Sequence, residues 1–202
     1  RVCAVDAGPD GLVVTGTETG AVRYWRNGRC VRTIRPRQDD GVSAQAVRAL
    51  SGGRVLCAYN FFQNDRREIV IVLRDASGEP AQTITMPGMS YGVDLRFAAC
   101  ERAGLIACSI VNRIYLFSFD GAKMGEIKVA DARITAMDIN SDGDDLVASG
   151  YEDGSLEFRR FSGEVVSRRD FDAGAVTAVS IAGRVVLAAS DLGSVGVFDR
   201  SG

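Results

Sequence analysis

The feature that most constrains this chain is a spacing. A glycine closing a tight turn recurs at Gly28, Gly78, Gly121, Gly163 and Gly202, at intervals of 50, 43, 42 and 39 residues. A period of about 40 residues implies one supersecondary unit copied along the chain; a unit that short cannot bury its apolar face alone and must stack on its neighbours. The clearest copy runs from Ile134 to Gly163, ITAMDINSDGDDLVASGYEDGSLEFRRFSG. In it, ITAMDI and LVASG are short apolar runs joined by Asn140-Ser141-Asp142-Gly143. Tyr151-Glu152-Asp153-Gly154 turns the chain into SLEFR, and Phe161-Ser162-Gly163 turns it into EVVSRRDF. Tight hairpin turns need positive φ, which Gly adopts freely and Asn or Asp at little cost, while β-branched and aromatic residues suit the pleated strands between.

Five units follow, at approximately 1–35, 42–86, 91–129, 133–171 and 175–202. Unit one reads VCAVDA, LVVTGT, AVRYW and CVRTI; unit two AVRAL, VLCAY, IVIVL and AQTIT; unit three VDLRFA, LIACSI, RIYLFS and GEIKV. Unit five reads VTAVSI, VVLAAS and SVGVFD and lacks a fourth run. The first runs of each unit alternate and then become almost continuously apolar, as for strands covered on both faces, and charges such as Arg159, Arg168 and Arg169 enter only later. No window holds apolar residues at helical spacing over a full helix length. The expected fold is all-β: a single β-propeller domain of about five four-stranded antiparallel blades, the last incomplete, giving nineteen strands and almost no helix. The missing fourth run also leads us to expect an excerpt of a larger propeller, whose exposed strand edges would make the isolated piece behave poorly.

With 46% hydrophobic residues, four prolines and no apolar run of the roughly 18 residues needed for a membrane helix, the sequence reads as a soluble globular protein. Its 24 basic and 26 acidic side chains are interspersed, so there is no basic footprint for nucleic acid. Five cysteines, Cys3, Cys30, Cys57, Cys100 and Cys108, are odd in number and include no CxxC pair, the pattern of reduced thiols in apolar strands. No Asn-x-Ser/Thr sequon and no secretory segment is present, which favours an intracellular, cytoplasmic address.

In unit four, Asn140-Ser141-Asp142-Gly143 is followed by Asp153-Gly154-Ser155, and then by Arg159-Arg160; unit five carries Phe198-Asp199, and unit one Trp25-Arg26, at that last place. This succession resembles the WD-repeat β-propeller family, in which a Ser-Pro-Asp-Gly-like turn and an Asp-Gly turn precede a Trp-Asp dipeptide. The resemblance covers all five units in degenerate form. It implies a propeller that works through other proteins. The family's polar network joins a histidine, the Asp of the second turn, a strand Ser or Thr and the Trp. This chain has no histidine, so its repeats are divergent.

Candidate sites compete with plainer readings. Asp138-Ile139-Asn140-Ser141-Asp142-Gly143 spells the first half of a calcium loop, but Ser149 stands where the bidentate Glu belongs, and a hairpin turn like Gly8-Pro9-Asp10-Gly11 accounts for the same residues. No metal or cofactor is expected. Without histidine, general base work would fall to Asp, Glu or Lys, and no pair of these recurs with catalytic spacing, so the chain is not read as an enzyme. In unit two, Asn60-Phe61-Phe62-Gln63-Asn64-Asp65-Arg66-Arg67-Glu68 replaces the tight turn that other units close with Gly20, Asn112, Gly154 or Gly193. This insertion is either a solvated loop with one Phe tucked onto its blade or, because aromatics and Arg are enriched at interface hot spots, a partner site at Phe61, Phe62, Arg66 and Arg67. The linker carrying Arg35, Arg37, Asp39 and Asp40 should lie beside it, as part of one mixed-charge rim or as a plain connector. The expected function is a protein-interaction scaffold; the alternatives are a peptide or small-ligand sensor using the axial pocket, and a divergent propeller enzyme.

Overall fold

The computed structural model describes residues 1–35, 41–63, 66–86, 95–110, 112–129, 132–140, 145–172 and 174–199. Nineteen strands run through them. The first sheet holds β1 (Val2–Ala7), β2 (Val13–Thr17), β3 (Val22–Arg26) and β4 (Arg29–Ile34). The second holds β5 (Gly41–Ala49), β6 (Val55–Gln63), β7 (Arg66–Arg74) and β8 (Pro80–Met86). The third holds β9 (Leu95–Cys100), β10 (Leu105–Ile110), β11 (Arg113–Ser118) and β12 (Lys123–Lys128). The fourth holds β13 (Ile134–Asn140), β14 (Leu146–Tyr151), β15 (Ser155–Arg160) and β16 (Val165–Asp170), and the fifth β17 (Val176–Ala182), β18 (Val185–Ser190) and β19 (Val195–Asp199). Each sheet is an antiparallel meander, the blade arrangement of a β-propeller. The sole helical element among the described residues is a 3-10 turn at Ser51–Gly53.

Turn chemistry sets these boundaries. Between the paired residues Arg26 and Arg29, Asn27 and Gly28 both take positive φ, 50° and 72°, the mirror-image turn whose twist matches that of antiparallel strands. Burial is deepest in the second strands of the third and fourth sheets and least in last strands: β10 and β14 are buried at every position, whereas β4 exposes five of its six residues. Charges accordingly gather on the last strands β4, β12 and β16.

Two compact units contain these sheets, the first two in one and the last three in the other. In the first unit, β5 packs across β1 and β2. Leu12, Val14, Val22 and Tyr24 of the first sheet interlock with Val47, Val55, Cys57 and Tyr59 of the second. In the second unit β13 packs on β9 and β17 packs on β13 and β14, with Phe158, Leu156, Val176 and Val186 fully buried between the last two sheets. Burying each such side chain contributes roughly 1.5–3 kcal/mol.

A polar latch recurs at these junctions. Asp6, opposite Val14 in the ladder, accepts the Ala49 N–H at 2.8 Å; Asp138, at the same strand place opposite Ala148, accepts the Ile181 N–H at 2.8 Å. A carboxylate accepting a backbone N–H is a charge-assisted bond, about twice as strong as a neutral one.

The second sheet departs from expectation. Residues 60–63 and 66–68, expected in an inserted loop, belong instead to the strand ladder. Pairing continues through Asn60↔Ile69, Phe61↔Glu68 and Phe62↔Arg67 to Gln63↔Arg66, so β5, β6 and β7 are each nine residues long. No glycine stops the ladder in this stretch, and Phe61 and Phe62 favour strand.

Candidate functional site

The lengthened β6–β7 hairpin carries four of the residues singled out in the sequence, Phe61, Phe62, Arg66 and Arg67. Val42 pairs with Phe61 and Gly41 with Phe62, while residues 36–40 of the linker lie outside the described residues. Phe61 is half-buried on the core of the first two sheets, its ring tilted 52° to that of Tyr59 with centroids 6.1 Å apart. Phe62 and Arg67 are a ladder pair, and Arg66 pairs with Gln63 next to the hairpin tip. Arg35 is exposed just after β4; Arg37, Asp39 and Asp40, like residues 64–65, lie outside the described residues. The hairpin thus unites Phe61, Phe62, Arg66 and Arg67 on one paired element.

The Trp-Asp places carry cross-strand bolts. In the first sheet Trp25 Nε1 donates to Thr15 Oγ1 at 3.0 Å. In the fourth, Arg159 occupies that place; its Nε donates to buried Glu157, which also accepts from Tyr151 Oη at 3.0 Å, and its Nη1 donates to the Gly163 carbonyl at 2.8 Å. Arg74 of the second sheet repeats that last contact on the Gly78 carbonyl at 2.9 Å and reaches Tyr59 Oη at 3.4 Å. Burial, reinforced by Glu157, raises the Tyr151 phenol well above its ordinary value. Asp153 accepts from Ser155 Oγ at 2.6 Å, from the Ser155 N–H at 3.0 Å and from Arg168 Nη2 at 3.2 Å; the hydroxyl first, then the Ser155 N–H and the guanidinium, hold its carboxyl below the ordinary range. These groups are committed to one another and stiffen their blades.

The inner strands of the second unit line an open groove of about 500 Å³, with Arg96 and Phe97 from β9, Thr135 and Met137 from β13, and Thr177 and Val179 from β17. Arg96 Nε donates to the Thr135 carbonyl, and burial lowers the guanidinium's pKa from its ordinary value. The threonine hydroxyls donate within their own sheets, Thr135 to the Gly150 carbonyl at 3.1 Å and Thr177 to the Ala189 carbonyl at 3.3 Å.

The calcium-like run is partly visible. Asp138 turns its carboxylate to the Ile181 N–H, while residues 141–144 lie outside the described residues. Among the described residues no three His, Cys, Asp or Glu side chains cluster as a metal site would require, and no helix is long and apolar enough to cross a membrane. Sequence reasoning missed one surface, the apolar face of the fifth sheet formed by Val185, Leu187, Val195 and Val197, all exposed. Its signal was present: SVGVFD stays apolar at alternate positions where SLEFR, one unit earlier, is covered. No protein-family model and no curated protein matches the chain.

Proposed function

We propose that the chain is a protein-interaction scaffold of the WD-repeat type, cytoplasmic and without chemistry of its own, which presents the β6–β7 hairpin and the adjoining 35–41 linker to a protein partner. The observation that carries this reading is the ladder running to Gln63↔Arg66. Ladder pairing fixes the backbone at Phe62, Arg66 and Arg67, which lowers the ordering cost a partner would meet there. The anchoring of Phe61 on Tyr59 adds to that rigidity. The Trp25–Thr15 bond supports the WD-repeat assignment, and the absence of histidine from all 202 residues supports a non-catalytic role.

The test is quantitative co-purification from cell extract with the wild-type chain and with Phe62→Ser combined with Arg67→Ser. We expect a partner retained by the wild type to fall at least tenfold with the double variant while its melting temperature stays within a few degrees. An unchanged partner set would refute the site, and no partner above background would refute the scaffold.

The groove favours a second reading, a peptide or small-ligand sensor in which Arg96 takes a carboxylate. Its lining offers one cation and no acid. Chemical-shift titration with a short peptide, before and after Arg96→Ala, separates it from the scaffold reading.

A further inference from the structure

We propose that the open face of the fifth sheet is a blade-docking face whose occupant is a second copy of this chain, seated through the outward face of that copy's first sheet. The argument rests on ladder register. In the fourth sheet, the side chains that receive the fifth sheet are Ala136, Leu146, Ala148, Leu156 and Phe158, none more than 5% exposed. Their ladder is Ala136↔Gly150↔Leu156, with Ala148↔Phe158 two residues along and Leu146 two beyond that. The same ladder in the fifth sheet is Ala178↔Ala189↔Val195, with Leu187↔Val197 and then Val185. Each position that receives a blade in the fourth sheet is again apolar in the fifth. Here, however, Val195 is 75% exposed, Val197 68% and Leu187 42%. A face built for water would carry the charges seen on β16, where Arg168 and Arg169 stand; this one keeps the composition of a covered interface.

The other half of that interface is also written in the chain. The fifth sheet reaches the fourth with Val179, Val186, Ala188 and Phe198, in the ladder pairs Val179↔Ala188 and Val186↔Phe198. The first sheet has Val5↔Thr15 and Val13↔Trp25 at the corresponding places. Strand alternation puts these four on the face opposite Val14, Val22 and Tyr24, which pack on the second sheet. Val5 is 66% exposed, and Val13, Thr15 and Trp25 are partly so. One chain therefore presents both a donor face and an acceptor face of the same blade junction, one in each compact unit and each uncovered within that unit, and two copies can meet donor to acceptor. Such a contact is heterologous: it uses different patches on the two partners and leaves one of each open at the ends.

Sedimentation of the 202-residue chain over a range of concentrations tests this, using Val195→Glu with Val197→Glu to spoil the acceptor face and Val5→Glu to spoil the donor face. All three positions are exposed, so the strand circular dichroism of each variant should match the wild type; a variant that loses it is replaced by the serine version. The wild type is expected to gain mass with concentration, each variant to remain monomeric, and an equimolar mixture of the two variants to form dimers that grow no further, because one good face survives on each. A wild type that stays monomeric, association that survives either variant, or a mixture that fails to pair would each overturn the proposal.

Discussion

The five cysteines occupy three environments. Cys57 and Cys108 are fully buried in β6 and β10, Cys100 is half-buried, and Cys3 and Cys30 are exposed on the first sheet. The sequence placed most of them in apolar strand patterns and could not separate the covered from the open ones, because that difference depends on which neighbouring sheet lies over a strand. Burial raises the Cys57 thiol from 9.0 to about 11 and the Cys108 thiol from 9.0 to about 12. A raised thiol pKa means the native chain keeps a proton that the unfolded chain releases. The associated stability is complete below pH 9 and declines as the pH climbs through about 11 to 12, by about 1.4 kcal/mol per thiol per pH unit inside that window. The buried phenols of Tyr24, Tyr59 and Tyr151 act in the same sense at still higher pH. Urea midpoints should therefore hold steady from neutral pH to about 9 and then fall, and Cys57→Ala with Cys108→Ala should flatten that fall. At neutral pH, iodoacetamide should label the exposed Cys3 and Cys30 in the native chain and leave the buried Cys57 and Cys108 unlabelled until urea is added. Rapid labelling of Cys57 in the native chain would contradict its burial.

Most elements were legible because their punctuation is local. Gly20, Gly154 and Gly193 each take positive φ where the sequence put the turn between second and third strands. At Gly154 a side chain would also stand against the Asp172 carbonyl. The β6–β7 hairpin was misjudged for the converse reason, since charged and amide residues are compatible with either a loop or an edge-exposed ladder, and only long-range pairing decides. The Asp latch was equally hidden. Asp138 reads as part of a turn motif in sequence, yet its acceptor role depends on Ile181, 43 residues on. Replacing Asp138 with Ala leaves the part-buried Ile181 N–H at a sheet junction without this acceptor, which costs about 1 kcal/mol. Amide exchange at Ile181 should accelerate far more than exchange at Val147 within β14. Asp6→Ala, in the more exposed first sheet, should cost less. Equal losses for the two variants would mean that burial does not set the strength of this latch.

At the scale of the molecule, cohesion comes from apolar contact between successive sheets, and stability in such stacks is a sum of nearest-neighbour terms. Within the second unit one cluster joins the third and fourth sheets and another the fourth and fifth; within the first, a single cluster joins both sheets. Damage in one cluster should therefore be felt first by its own unit. Phe158 is completely buried between the fourth and fifth sheets, and Phe158→Ala removes a ring that its surroundings cannot refill, a loss of about 3–5 kcal/mol. The chain's single tryptophan, Trp25, lies in β3 and reports on the first unit alone, whereas far-ultraviolet circular dichroism reports on all strands. Urea unfolding of Phe158→Ala should show an early dichroism transition from the second unit while the Trp25 fluorescence midpoint stays at the wild-type value. Tyr24→Ala, which opens the cluster of the first unit, should do the reverse and move the fluorescence midpoint down. If Phe158→Ala shifts both signals together and by the same amount, the two units unfold as one cooperative body, and blade-to-blade contact is not partitioned in the way their separate cores imply.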